Sequence, residues 1–196
     1  MKYFAINKPF GMLSQFTREI PTHHVLGDLY DFPKDVYPVG RLDRDSEGLL
    51  LLTNDKQLHT RLLHPQWRHV RTYWVQVEGI PTEKALETLR NGVTIRAKGK
   101  SWLTQPASAK IFAKTPQISP RNPPIRVRKN IPDRWISLSL SEGKNRQVRR
   151  MCAAVGFPVL RLIRYSIESL TLEHLEGEPV MAFDRKQLFR LLKLAE

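Results

Sequence analysis

Leu49 to Leu52 is an unbroken apolar run with Gly48 before it and Thr53-Asn54-Asp55 after it. So short a run, apolar on successive residues, predicts a strand covered on both faces. Residues 2–6 read as an opening strand, ended by the proline and glycine of Asn7-Lys8-Pro9-Phe10-Gly11. Residues 71–77 and 135–140 alternate and are rich in β-formers, and further strands are expected at 93–95, 107–113, 159–163 and 167–172. Helical spacing recurs four times. Asn54 or Asp55 can cap a helix to about residue 64, with Leu58, Leu62 and Leu63 on its stripe and Pro65 as its stop. Thr82 caps a second, which turns Ala85, Leu86 and Leu89 inward and stops at Gly92. A third runs over about 144–155 with Val148, Met151, Cys152 and Val155 inward, and Asp184 caps the last, to about 194. Between residues 11 and 39 only a short helix and an irregular approach are expected, because Pro33 and Pro38 break anything longer. Four helices dispersed among strands without βαβ regularity predict an α+β protein, its mixed, mostly antiparallel central sheet flanked by helices.

Charge changes this picture of an ordinary core. With 32 Lys and Arg against 19 Asp and Glu the chain carries a formal +13, so its field gathers polyanions and nucleic acid is the leading partner. Residues 121–164 hold eleven basic and two acidic residues, whereas from Ser166 onward six acids outnumber four bases. Residues 115–133 contain five prolines and no stable periodicity, which predicts an exposed basic loop. Its Arg121, Arg126, Arg128 and Lys129 are either a solvated insertion or a phosphate-contacting arm. No long apolar run suggests a membrane span, no signal-peptide core follows Met1, and the lone Cys152 leaves no internal disulfide. A cytoplasmic monomer is expected. His59, His64 and His69 lack carboxylates or cysteines at metal spacing, so no metal is implied.

The chemistry concentrates just before the leucine run. Gly40-Arg41-Leu42-Asp43-Arg44-Asp45-Ser46-Glu47-Gly48 sets three carboxylates among two arginines at a strand's mouth. Those surroundings can hold an acid ionised and aimed into a cleft, and Asp43 is the candidate. They equally describe a polar turn whose acids cap and pair, and chemistry alone does not choose between the two.

The string GRLD followed by SEGLLLLTND resembles the catalytic motif of the RNA pseudouridine synthases, in the branch that modifies ribosomal RNA. NKPFG resembles that family's first motif, and GKNRQVRRM with GFPVLRLIR resembles its third, with Arg146 where many members show histidine. The resemblance runs from Asn7 to Leu172. It implies two lobes sharing a central sheet around a catalytic cleft, in a single catalytic domain. No S4 RNA-binding domain is expected ahead of the first strand, so RNA contacts would rest on the body itself. The implied reaction detaches a specific uracil in 23S ribosomal RNA, turns it and rejoins it through carbon, with no redox change, added group or cofactor. By this resemblance Asp43 is the nucleophile, Arg149 its charge partner, and Tyr73 packs against the base or assists proton transfer. Arg41 and Arg44 would hold the phosphates of the flipped nucleotide. Lys144, Arg146, Arg150, Arg161 and Arg164 complete the expected RNA footprint. The rival reading is a non-catalytic ribosome- or RNA-binding protein, which would need no acid amid its bases. A phosphate-transfer enzyme fits less well, since the chain has no GxxxxGK loop.

Overall fold

A computed structural model describes residues 1–97, 99–125 and 130–195. In chain order the strands and helices are β1 (Tyr3–Lys8), β2 (Tyr37–Pro38), β3 (Glu47–Thr53), α1 (Lys56–Leu63), β4 (Arg71–Glu78), α2 (Glu83–Asn91), β5 (Thr94–Ala97), β6 (Lys100–Leu103), β7 (Ser108–Ile111), β8 (Asp133–Leu140), α3 (Gln147–Ala154), β9 (Val159–Ile167), β10 (Leu170–Thr171), β11 (Val180–Ala182) and α4 (Arg185–Leu191). A single 3-10 turn, Leu26–Asp28, is the short helix expected between the first two motifs. This is the predicted α+β class. The pairs β1–β3, β1–β11, β2–β3, β9–β10, β4–β8, β7–β8 and β5–β6 are antiparallel, while β3 and β9 run parallel.

The chain forms two compact units, residues 1–69 with 163–196, and residues 70–162. In the first unit every residue of β3 is buried. Leu49 and Leu51 pack with Tyr3, Leu58, Leu188 and Phe189, whereas Leu50 and Leu52 pack with Ile6, Leu26, Phe32, Val36 and Leu42. The strand is thus covered on both faces as its pattern demands. Each leucine stabilises the unit by roughly 1.5–3 kcal/mol. Asp55, not Asn54, caps α1 by accepting the Gln57 and Leu58 N–H groups at 3.0 Å. It also accepts the Tyr3 hydroxyl at 2.8 Å. In the second unit α2 and α3 cover a core of Val75, Val77, Leu86, Leu89, Ile136, Leu138, Met151 and Cys152.

Several boundaries differ from expectation, among them the following. The third helix starts at Gln147 instead of 144, because Arg146 takes a left-handed φ of 51° and the preceding residues form a side-chain-bonded turn. Residues 159–167 are one continuous strand, with the short β10 after it. The short β2, β6 and β11 were not foreseen, since two to four residues carry too little alternation.

Candidate active site

Asp43 opens a tight turn, its carbonyl accepting the Ser46 N–H at 3.0 Å. Leu42 before it is buried in the core with Leu50 and Leu52. Residues 11–14 hold the same loop from the side. The buried Ser14 hydroxyl donates to the Leu42 carbonyl at 2.9 Å and accepts the Leu42 N–H at 3.0 Å. Gly11 N–H donates to the Arg44 carbonyl at 2.8 Å, and Arg44 Nε returns a bond to the Gly11 carbonyl at 3.1 Å. The first motif therefore buttresses the second, a relation that sequence reading missed. Asp43 itself is half-buried, and Arg41 and Arg44 are exposed.

Lys8 is a second feature that the sequence did not disclose. Its side chain is fully buried, 0 % exposed, and Nζ donates to the carbonyls of Met12 at 2.8 Å and Pro9 at 3.0 Å. Burial pushes the ammonium down to about 8 against the attraction of Glu47, Asp45 and Asp43, with the Arg164 charge adding to the depression. It is still a cation at neutral pH, set among the carboxylates of the central motif. A lysine beside Pro-Phe-Gly reads locally as a solvated turn; the only sequence signal was the unbalanced acid cluster 35 or more positions later.

Gly48 is where β3 meets β9. Its φ is +102°, and a methyl group there would lie 2.4 Å from the Arg164 carbonyl oxygen. Arg164 is only 5 % exposed and its Nε donates to the Leu49 carbonyl at 2.7 Å. Arg161 is likewise buried, at 8 % exposed. Both were expected in the RNA footprint, and the structure finds both largely buried, Arg164 being held by its bond to the Leu49 carbonyl.

In the second unit Tyr73 lies half-buried on β4, opposite Leu138 of β8. Arg149 and Arg150 are half-buried on α3, and Arg146 is exposed at its start. Gln147 organises the turn before α3. Its Oε1 accepts the Lys144 N–H at 2.8 Å, and its Nε2 donates to Glu142. Glu142 also accepts Gln105 N–H and pairs with Lys144 Nζ at 3.1 Å. Burial works to raise the Glu142 carboxyl, but these donors outweigh it and hold it below the usual range. Lys144, whose ammonium also lies 5.9 Å from the Trp102 ring centroid, is thus tied into this turn. Arg150 donates to Asn145 at 2.9 Å. Of the basic loop, Arg121 is bonded to the Pro123 and Pro124 carbonyls, while Arg126, Arg128 and Lys129 lie outside the described residues.

Among the described residues no cluster of three or more His, Cys, Asp or Glu could hold a metal ion. The histidines have other work: His59 meets the Pro38 carbonyl, His64 accepts Gln66 N–H, and the buried His69 meets Glu168 at 3.3 Å. Nor is any helix among these residues long and apolar enough to cross a membrane.

The family model described as RNA pseudouridylate synthase matches residues 2–154, a span that includes Lys8, Ser14, Asp43, Tyr73 and Arg149. The chain belongs to that family. It is 49 % identical over 171 residues to the ribosomal large subunit pseudouridine synthase E of Xanthomonas axonopodis pv. citri, covering 87 % of each chain. It is 50 % identical over 175 residues to the protein of the same name from Vibrio vulnificus, covering 89 % of this chain and 72 % of that one. Both names fall within the ribosomal branch that the motifs resemble. A crystal structure of a pseudouridylate synthase superimposes with a TM-score of 0.76 at 28 % identity, over 97 % of this chain and 73 % of that one.

Proposed function

We propose that this RNA pseudouridine synthase isomerises a specific uridine of 23S ribosomal RNA, acting in the cytoplasm as a monomer. Two relatives at about half identity named for the large ribosomal subunit support the substrate class. A carboxylate in a doubly clamped turn beside a buried ammonium supports catalysis over passive binding, because a pure binder has no use for a fixed acid there. In this reading Asp43 is the nucleophile, a role that suits a carboxylate held rigidly where the base arrives. Tyr73 is assigned to packing against the base or to proton transfer, and Arg149 to support of the carboxylate's charge. Arg41, with the part of the Arg44 guanidinium that faces solvent, is assigned to the phosphates of the extruded nucleotide. Isomerisation adds and removes no group, so the proposal calls for no cofactor.

Asp43→Asn is expected to eliminate product in single turnover while RNA affinity stays within about threefold. Arg149→Ala is expected to slow the saturated rate more than it weakens binding. Substantial residual turnover in the first variant rejects the nucleophile. Poor binding with a normal saturated rate in the second would make Arg149 a phosphate contact. Mapping pseudouridines in ribosomal RNA from cells lacking the protein identifies the target, and an unchanged map rejects the substrate.

A further inference from the structure

The backbone on both sides of Asp43 is held by side chains and amides that come from residues 11–14. A serine hydroxyl that both donates to and accepts from one residue's backbone does what a neighbouring strand would do, and Ser14 does this for Leu42 at 2.9 and 3.0 Å. The serine is itself fixed. Leu13 N–H donates to His24 O at 2.8 Å, and Leu26 N–H donates to Gln15 O at 3.0 Å, so the segment carrying Ser14 is braced before and after it. The brace runs into the core, since Val25 and Leu26 are buried. On the far side of Asp43, the paired bonds between Gly11 and Arg44 complete the frame.

We propose that Ser14 is a positioning residue for Asp43. It sets the path of the backbone one residue before the carboxylate without touching the RNA. The inference rests on the assignment of Asp43 as nucleophile. Its physical basis is that reacting groups must sit within a fraction of an ångström of the productive geometry, and that a loop achieves this only when its own backbone is held. Alanine at position 14 leaves both polar groups of Leu42 without the hydroxyl in a buried place. Water or a shifted backbone must then satisfy them, and the turn carrying Asp43 moves with them.

The test compares Ser14→Ala, Ser14→Cys and Ser14→Thr with Asp43→Asn, measured on the full chain with a ribosomal RNA transcript as substrate. Each is assayed for single-turnover rate at saturating RNA, RNA dissociation constant and thermal midpoint. Ser14→Ala is expected to lose on the order of tenfold to a hundredfold in saturated rate, with the dissociation constant within about twofold. Ser14→Cys, of similar size but a weaker hydrogen-bonding partner, should fall between alanine and wild type, and Ser14→Thr should restore most of the rate if its methyl is accommodated. Rates are read well below the lowest midpoint, so that unfolding does not mimic the effect; if alanine does not fold, the cysteine variant carries the comparison. A saturated rate within about twofold of wild type in the folded alanine or cysteine variant overturns the proposal. So does a loss confined to RNA affinity. If Asp43→Asn instead keeps substantial turnover, the nucleophile assignment fails first, and the role of Ser14 fails with it.

Discussion

A lysine with no exposed surface is the clearest case of a residue whose context inverts its usual chemistry. Lys8 loses its hydration on folding and regains only two carbonyl acceptors and the field of nearby carboxylates, so burial wins and the ammonium is pushed from 10.5 down to about 8. Between these two pH values the unfolded chain holds the proton that the folded chain has released. Stability conferred through Lys8 is therefore present above pH 10.5 and is lost as pH falls through 8. Measured against Lys8→Met, wild type should gain on the order of 3 kcal/mol from pH 8 to pH 10.5 in denaturant titrations. The subtraction matters because Tyr3, pushed up to about 12 by burial and then by its bond to Asp55, changes stability in the opposite sense above pH 10. A flat difference across that window would mean that Lys8 titrates normally. Residues like this are hard to read from sequence. Asp43 could be proposed from the motif that carries it, whereas the burial of Lys8 and the bonds of Ser14 depend on partners that only the fold supplies, at Met12 and at Leu42.

Elements were legible in proportion to how local their causes are. The four leucines of β3, the Thr82 and Asp184 caps and the stop at Gly92 all act within a few residues and were foreseen, and the cap of α1 was narrowed to Asn54 or Asp55. The start of α3 was not, because a left-handed arginine and a glutamine that bonds backward replace the usual signals. Gly48 lies between these cases: its place beside the leucine run was visible, but its reason was not. The φ of +102° and the 2.4 Å approach of the Arg164 carbonyl leave no room for a methyl group. Gly48→Ala is expected to force β3 and β9 apart, costing more than about 3 kcal/mol, or to prevent folding. Gly27→Ala, at a glycine with open space and ordinary backbone, is the control and should melt within a few degrees of wild type. A Gly48→Ala protein that melts like the control would show that the two strands can part cheaply.

For the molecule as a whole, a formal charge of +13 makes RNA affinity steeply dependent on salt. The basic residues do not contribute alike. Replacing Arg41, Arg146 and Arg150, which are exposed or half-buried, should flatten the plot of log affinity against log salt by up to about 0.7 for each phosphate that is no longer neutralised. Arg164→Met should leave that slope unchanged and lower stability by about 1.5–3 kcal/mol, since its Nε serves the Leu49 carbonyl. The reverse pattern, measured by filter binding and thermal melts, would return Arg164 to the RNA footprint. Chain order adds a constraint of another kind. The unit bearing Asp43 is assembled from residues 1–69 and 163–196. Strand β1 pairs with β11, and Tyr3, Leu49 and Leu51 share a core with Leu175, Phe183, Leu188, Phe189 and Leu192. During synthesis Asp43 thus emerges early and waits for residues 163–196 to complete the unit that carries it, a long-range closure of the kind that folds slowly. A nascent chain still held by the translating ribosome has made Asp43 without yet having the fold that holds it in place.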